Sequence, residues 1–181
     1  MTRSTTRRSS GRRPNRRRTT RVAAPRAPAL MTHIKLCVET PATVSAPGIT
    51  TPADVAALLG AEMGALTQEQ LRVLLLDTKH RVRACHLVYQ GTVNGASIRV
   101  AEVVRPAVIA NLPAILMIHN HPSGDPAPSP EDIHATQRIA EAAALLDIEL
   151  LDHVILGAAG RYYSLKEAGL LRASAPTLLA A

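Results

Sequence analysis

The sequence predicts one small α/β domain, and three observations carry that expectation. Apolar runs of strand length at 71–77, 114–121 and 148–157 alternate with segments of helical period at 50–60, 101–111 and 131–147. At 181 residues the chain has room for one domain with a genuine core. Its hydrophobic fraction is 46%, yet no stretch approaches the roughly 18 uninterrupted apolar residues that a membrane span needs.

The composition narrows the chemistry. Phe and Trp are absent and only Tyr89, Tyr162 and Tyr163 are aromatic, so the core must be aliphatic. Cys37 and Cys85 are too few for a disulfide framework and do not stand at metal-ligand spacing, which suits a reducing cytoplasm. The net charge of +7 is unevenly placed: residues 1–30 hold ten arginines and no acid. Removing them leaves 21 − 10 = 11 basic against 14 acidic residues, or −3 over 31–181. Like charges at that density, with little apolar surface, predict a disordered arm over 1–30. Such an arm suits non-specific binding of nucleic acid or an organellar transit peptide; a third reading takes Met31 as the true start and the arm as a translation artefact.

Taken in order, Ile34–Glu39 reads as an edge strand, followed by a loop through Pro47 and Gly48. The segment 50–60 reads as a helix with Thr51 as N-cap, Pro52 at its first position and Gly60 at its end. Leu71–Asp77 reads as a buried strand and Val82–Gly91 as its antiparallel neighbour. Residues 101–111 have a helical period with Pro106 inside it, and Ala114–His121 is a buried strand ending in polar residues. Four prolines stiffen the loop 122–130. The clearest helix is 131–147, where Ile133, Thr136, Ile139, Ala140, Ala143 and Leu146 make one apolar face. Strands at 148–157 and 161–165 flank the turn at 158–160, and 172–181 is a tail.

The chemistry gathers after the third strand. His119 and His121 alternate onto one face, about 6–7 Å apart at Cα, close enough to share an ion with Zn–N bonds of about 2.0–2.1 Å. By itself that pattern reads equally well as two surface histidines at a loop entry. Eight to eleven residues after His121, Ser129, Pro130 and Asp132 begin a helix as N-cap, first position and capping-box acid. The same Asp132 directs a carboxylate out of that helix start. Two histidines and one carboxylate leave a fourth tetrahedral position for water, the arrangement of a catalytic zinc. Asp125 has ordinary turn chemistry, and His153 reads as packed and hydrogen-bonded, with a place near the metal as the alternative.

The string His119-x-His121, seven residues, Ser129, two residues, Asp132 resembles the JAMM motif of JAB1/MPN-type zinc hydrolases. The fuller text HNHPSGDPAPSPED resembles the RadC-type branch, as do VLLLDTKHRV at 73–82, the Gly91–Ile98 segment, LLDHVILG at 150–157 and RYYSLKEAGLL at 161–171. The resemblance covers about residues 50–171. It implies a single JAB1/MPN-like, cytidine-deaminase-like domain with a central mixed β-sheet flanked by helices, one Zn2+ per chain, and hydrolysis of a peptide or isopeptide bond. It also implies a glutamate that takes a proton from the attacking water and returns it to the leaving amine. Glu69, directly before the first buried strand, matches by position, with Glu102 as the alternative. Where RadC-like chains often read Pro-Arg-Glu, this one has Val100-Ala101-Glu102. Ser129 is credited in the family with holding the oxyanion, beside its reading as N-cap. A helix-hairpin-helix segment often precedes the domain in RadC-like proteins, and no such signature is legible before Leu71. The competing function classes are a DNA-associated zinc protein acting through the arginine arm, and a zinc-stabilised interaction module whose fourth metal position is filled by a side chain such as His153.

Overall fold

The computed structural model describes residues 48–91 and 98–172. The expected arm over 1–30, the strand over 34–39 and the tail beyond residue 172 lie outside the described residues, as does most of the Gly91–Ile98 segment. The elements are α1 (Pro52–Met63), β1 (Gln70–Leu76), β2 (Val82–Gln90), α2 (Val100–Ala110), β3 (Ala114–Asn120), α3 (Pro130–Ala144), β4 (Glu149–Leu156) and β5 (Tyr162–Ser164). The strands form one mixed sheet in the order β2-β1-β3-β4-β5. β1 runs antiparallel to both β2 and β3, β3 and β4 are parallel, and β5 returns antiparallel to β4.

Alternation along the strands divides the core into two layers. On one face Val73, Leu75, Ile115 and Met117 pack with Val103, Val104 and Ala107 of α2 and Ala135, Ile139, Ala140 and Ala143 of α3. On the other, Leu74, Leu76, Leu116 and Ile118 pack with Val55, Leu59 and Met63 of α1. Two methionines thus join the expected aliphatic core. All seven residues of β3 are buried, as expected of a central strand covered on both faces.

Several boundaries differ from the sequence reading for identifiable reasons. Helix α1 starts as expected, with Thr51 and Asp54 forming a capping box, but it passes through Gly60 to Met63. Met63 is fully buried, and that packing outweighs the roughly 1 kcal/mol that glycine costs a helix. Pro106 does sit inside α2. It forgoes one backbone bond, and Val103, Val104 and Ala107 hold the helix to the sheet around it. The apolar face of α3 ends early: Leu145 is the C-cap, and Leu146 is exposed rather than packed.

One irregularity in the sheet matters for the site. Ile115 pairs with Leu150 while Met117 pairs with His153, so β4 spends three residues where β3 spends two. The extra residue is a β-bulge, and it resets the alternation. Leu150 and His153 thereby face the α3 layer, a placement that strict alternation would forbid.

Candidate metal centre

The site lies where β3 ends against the start of α3. His119 is the last inward-facing residue of β3, on the α2 and α3 side, and is 4% exposed. His121 follows one step on and is held by its own backbone, whose N–H donates to Leu156 O at 2.9 Å. The proline-stiffened loop then folds onto the turn after β4. Gly124 adopts φ +81, and its carbonyl accepts from Ala158 N at 3.0 Å and from the Arg161 guanidinium at 2.6 Å. A Cβ on Gly124 would stand 2.9 Å from the Ala158 Cβ, so the close approach itself requires glycine.

Helix α3 supplies the third group. Ser129 caps it, its hydroxyl accepting from Asp132 N at 3.1 Å and donating to Asp132 Oδ2 at 2.7 Å. The Ser129 backbone N–H also donates to Oδ2, at 2.8 Å. The two readings of Asp132 are therefore met by one carboxylate. Oδ2 closes the capping box, and Oδ1 faces His119 Nε2 at 3.6 Å. Ser129 has a single hydroxyl proton, already donated to Asp132, so the arrangement makes it the group that orients Asp132.

The ligand-type atoms converge. His119 Nε2 and His121 Nε2 are 2.8 Å apart, His119 Nε2 is 3.6 Å from Asp132 Oδ1, and His121 Nε2 is 3.7 Å from Asp132 Oδ2. Ligands around a tetrahedral ion with bonds of about 2.0–2.1 Å stand roughly 3.3 Å apart, close to the mean of those separations. The donor chemistry fits as well. His121 Nδ1 lies 2.8 Å from Asp125 O, a carbonyl that can only accept, so Nδ1 carries a proton and Nε2 is the nitrogen whose lone pair the neutral ring would offer an ion. Burial first, and the neighbouring His153 next, hold His119 well below the usual imidazole range and keep it neutral. The Asp132 carboxylate, followed by the Asp125 carbonyl and the charge of Glu69, shifts His121 upward. Burial pushes the Asp132 carboxyl up, but the two histidines and the bonds from Ser129 outweigh it, leaving it ionised far below its ordinary range. Imidazole nitrogens beside an anionic oxygen are what a divalent cation takes once it displaces any proton between them; these three residues could hold a metal ion.

The other sequence-derived residues sort by place. Glu69 is half-buried directly before β1, where its carbonyl accepts from Gly91 N at 3.0 Å, and its charge reaches His121. Glu102 stands in the first turn of α2 and pairs with Arg99 at 3.3 Å. Asp125 is a turn residue, its carboxylate accepting from Ala127 N at 3.1 Å. His153 is fully buried against His119, with its Nε2 2.8 Å from His119 Nδ1 and its Nδ1 2.6 Å from Thr136 Oγ1. Both of its nitrogens are thus engaged behind His119, away from the converging atoms.

Sequence reasoning missed Asn120. It sits between the two histidines and faces the opposite way, 1% exposed. Its Oδ1 accepts from Gln70 N at 2.9 Å and its Nδ2 donates to Gln68 O at 3.1 Å. Asn120 therefore ties the end of β3 to the segment that carries Glu69. The available signal was an amide standing between the two histidines at the end of a buried apolar strand.

Comparison with known proteins agrees with the geometry. The model of the RadC-like JAB domain matches residues 49–170. The chain belongs to that family. A UPF0758 protein of Chloroflexus aggregans is 55% identical over 122 residues, covering 67% of this chain and 53% of the relative. One from Roseiflexus castenholzii is 49% identical over 122 residues, covering 67% and 52%, and one from Desulfitobacterium hafniense is 44% identical over 125 residues, covering 69% and 55%. The chain spans about half the length of the curated relatives it matches. The JAB fold expected from the motif is the fold observed: among the described residues, a mixed five-stranded sheet with three α-helices. Among the described residues, no helix is long and apolar enough to cross a membrane.

Proposed function

We propose that this RadC-like domain is a zinc-dependent hydrolase of the JAMM type, acting on a peptide, isopeptide or related amide bond. The observation that carries the reading is the convergence of His119, His121 and Asp132 within bonding reach of one ion, with Glu69 near enough for its charge to act on His121. A zinc ion held there would supply Lewis acidity, polarising a carbonyl and acidifying water to a pKa of about 7. His119, His121 and Asp132 are the residues that would hold it. Glu69 accepts the proton of the attacking water and delivers it to the departing amine, a role worth about 10²–10⁴-fold in rate. Ser129 keeps the Asp132 carboxylate turned toward the histidines.

The test uses zinc-loaded protein and a panel of fluorogenic peptide and isopeptide substrates. Glu69→Gln should bind zinc as the wild type does and lose at least about 100-fold in turnover. Full turnover by Glu69→Gln would remove Glu69 from the mechanism and return Glu102 to consideration.

A second reading rests on a separate observation, the ten arginines without an acid in residues 1–30. Such an arm supplies sequence-independent, salt-sensitive attraction to nucleic acid and would bring the domain to DNA. Removing residues 1–30 should abolish DNA retention at low salt, and unchanged affinity would dismiss the reading.

A further inference from the structure

Behind His119 runs a chain of buried polar groups whose protons can be placed one by one. Thr136, 0% exposed on α3, has its hydroxyl oxygen 2.6 Å from the Asp132 carbonyl oxygen. Two oxygens at that separation need a proton between them, and only the hydroxyl has one to give. Thr136 therefore accepts at its other contact, 2.6 Å away, and His153 Nδ1 must be the N–H that donates to it. In the neutral ring His153 Nε2 is then bare. It lies 2.8 Å from His119 Nδ1, so that nitrogen carries the His119 proton. What remains on His119 is an Nε2 lone pair that faces Asp132 and, in the metal-free site, accepts the proton that the 2.8 Å contact with His121 Nε2 requires.

We infer that Thr136 and His153 are positioning residues of the metal centre, forming a one-way hydrogen-bond relay that fixes the His119 tautomer and ring orientation. The inference rests on the metal-site reading above and extends it to two residues that touch neither ion nor substrate. The relay begins on the backbone carbonyl of Asp132, whose carboxylate is itself turned to the site. One helical residue thereby supplies a ligand with one end and orients a second ligand with the other. The β4 bulge is what makes this possible, because it turns His153 to the α3 face. Outer partners of ligating histidines commonly change metal affinity by about 10–100-fold when lost, because the ring is freed to rotate or to take the wrong tautomer.

Thr136→Val preserves shape and removes the acceptor, and Thr136→Ser preserves the acceptor. Zinc affinity would be measured by competition with a chromophoric chelator, and tautomers by ring-nitrogen NMR on ¹⁵N-histidine-labelled, metal-free protein. Expected are a 10–100-fold loss of zinc affinity in Thr136→Val, near-recovery in Thr136→Ser, and His119 protonated on Nδ1 in the wild type but mixed in Thr136→Val. The NMR arm requires no metal, so it separates failure of the relay from failure of the zinc reading. Wild-type protein that shows His119 protonated on Nε2, or a folded Thr136→Val with unchanged tautomer and affinity, would overturn the relay. A Thr136→Val that does not fold shifts the decision to the wild-type tautomer and to Thr136→Ser.

Discussion

Replacing Ser129 by alanine separates two roles that one hydroxyl could play. In the structure it accepts from Asp132 N at 3.1 Å and donates to Asp132 Oδ2 at 2.7 Å, and the Asp132 side chain is only 13% exposed. Loss of the N-cap acceptor alone costs about 1 kcal/mol, within a range of roughly 0.5–2. Loss of a hydrogen bond to a carboxylate adds about 1.5–3, reduced here because the residue 129 backbone N–H still donates to Oδ2 at 2.8 Å. A total of about 2 kcal/mol is expected in urea unfolding of the metal-free protein. A less firmly held carboxylate should also weaken zinc binding by about tenfold or more in chelator competition. At saturating zinc, turnover should stay within a few-fold of wild type, because the Ser129 proton is committed to Asp132. Removing a true oxyanion donor instead costs about 10²–10³ in kcat. Unchanged stability and zinc affinity with a hundredfold fall in kcat would refute the positioning role and assign Ser129 to the oxyanion.

Two further expectations follow from the packing and the buried histidines. Gly124→Ala places a side chain at φ +81 and 2.9 Å from the Ala158 Cβ, so it should cost more than about 1 kcal/mol in thermal or urea unfolding and weaken zinc binding through His121; wild-type behaviour in both would contradict the loop clamp. In metal-free protein, burial lowers His153 to about 4, so the unfolded chain takes up that proton from about pH 6.5 downward while the fold does not. Stability should fall between about pH 6.5 and 4, at up to about 1.4 kcal/mol per pH unit from this group. His119 acts in the same direction, and His121, shifted upward, opposes them with stability present in acid and lost as the pH rises. Urea midpoints that rise from pH 7 to pH 5 would reverse the sign and dismiss the neutral burial of His153.

What the sequence disclosed was mostly local. The N-cap at Thr51 and the capping box of Ser129 with Asp132 depend on residues within one helical turn, and both stand as read. His119 and His121 share a face because strand alternation places them there, and the stiff loop brings Asp132 back to them. Features decided by distant packing were not legible. The burial of Met63 carries α1 past Gly60, and the end of α3 at Ala144 leaves Leu146 exposed. His153 is the clearest case: its side depends on a bulge set by pairing with β3, which no periodicity within 148–157 reveals. Asn120 and Thr136 drew no functional attention because each looks ordinary until its partners, 50 residues off for Gln70 and 17 for His153, are in place.

The most direct test of the account is the zinc content of purified protein, measured by elemental analysis on the wild type and on His121→Ala after reconstitution and exhaustive dialysis. The account predicts about one zinc per wild-type chain and loss of that zinc in the variant. Zinc absent from the wild type, or retained in full by His121→Ala, would contradict a metal centre built on His119, His121 and Asp132.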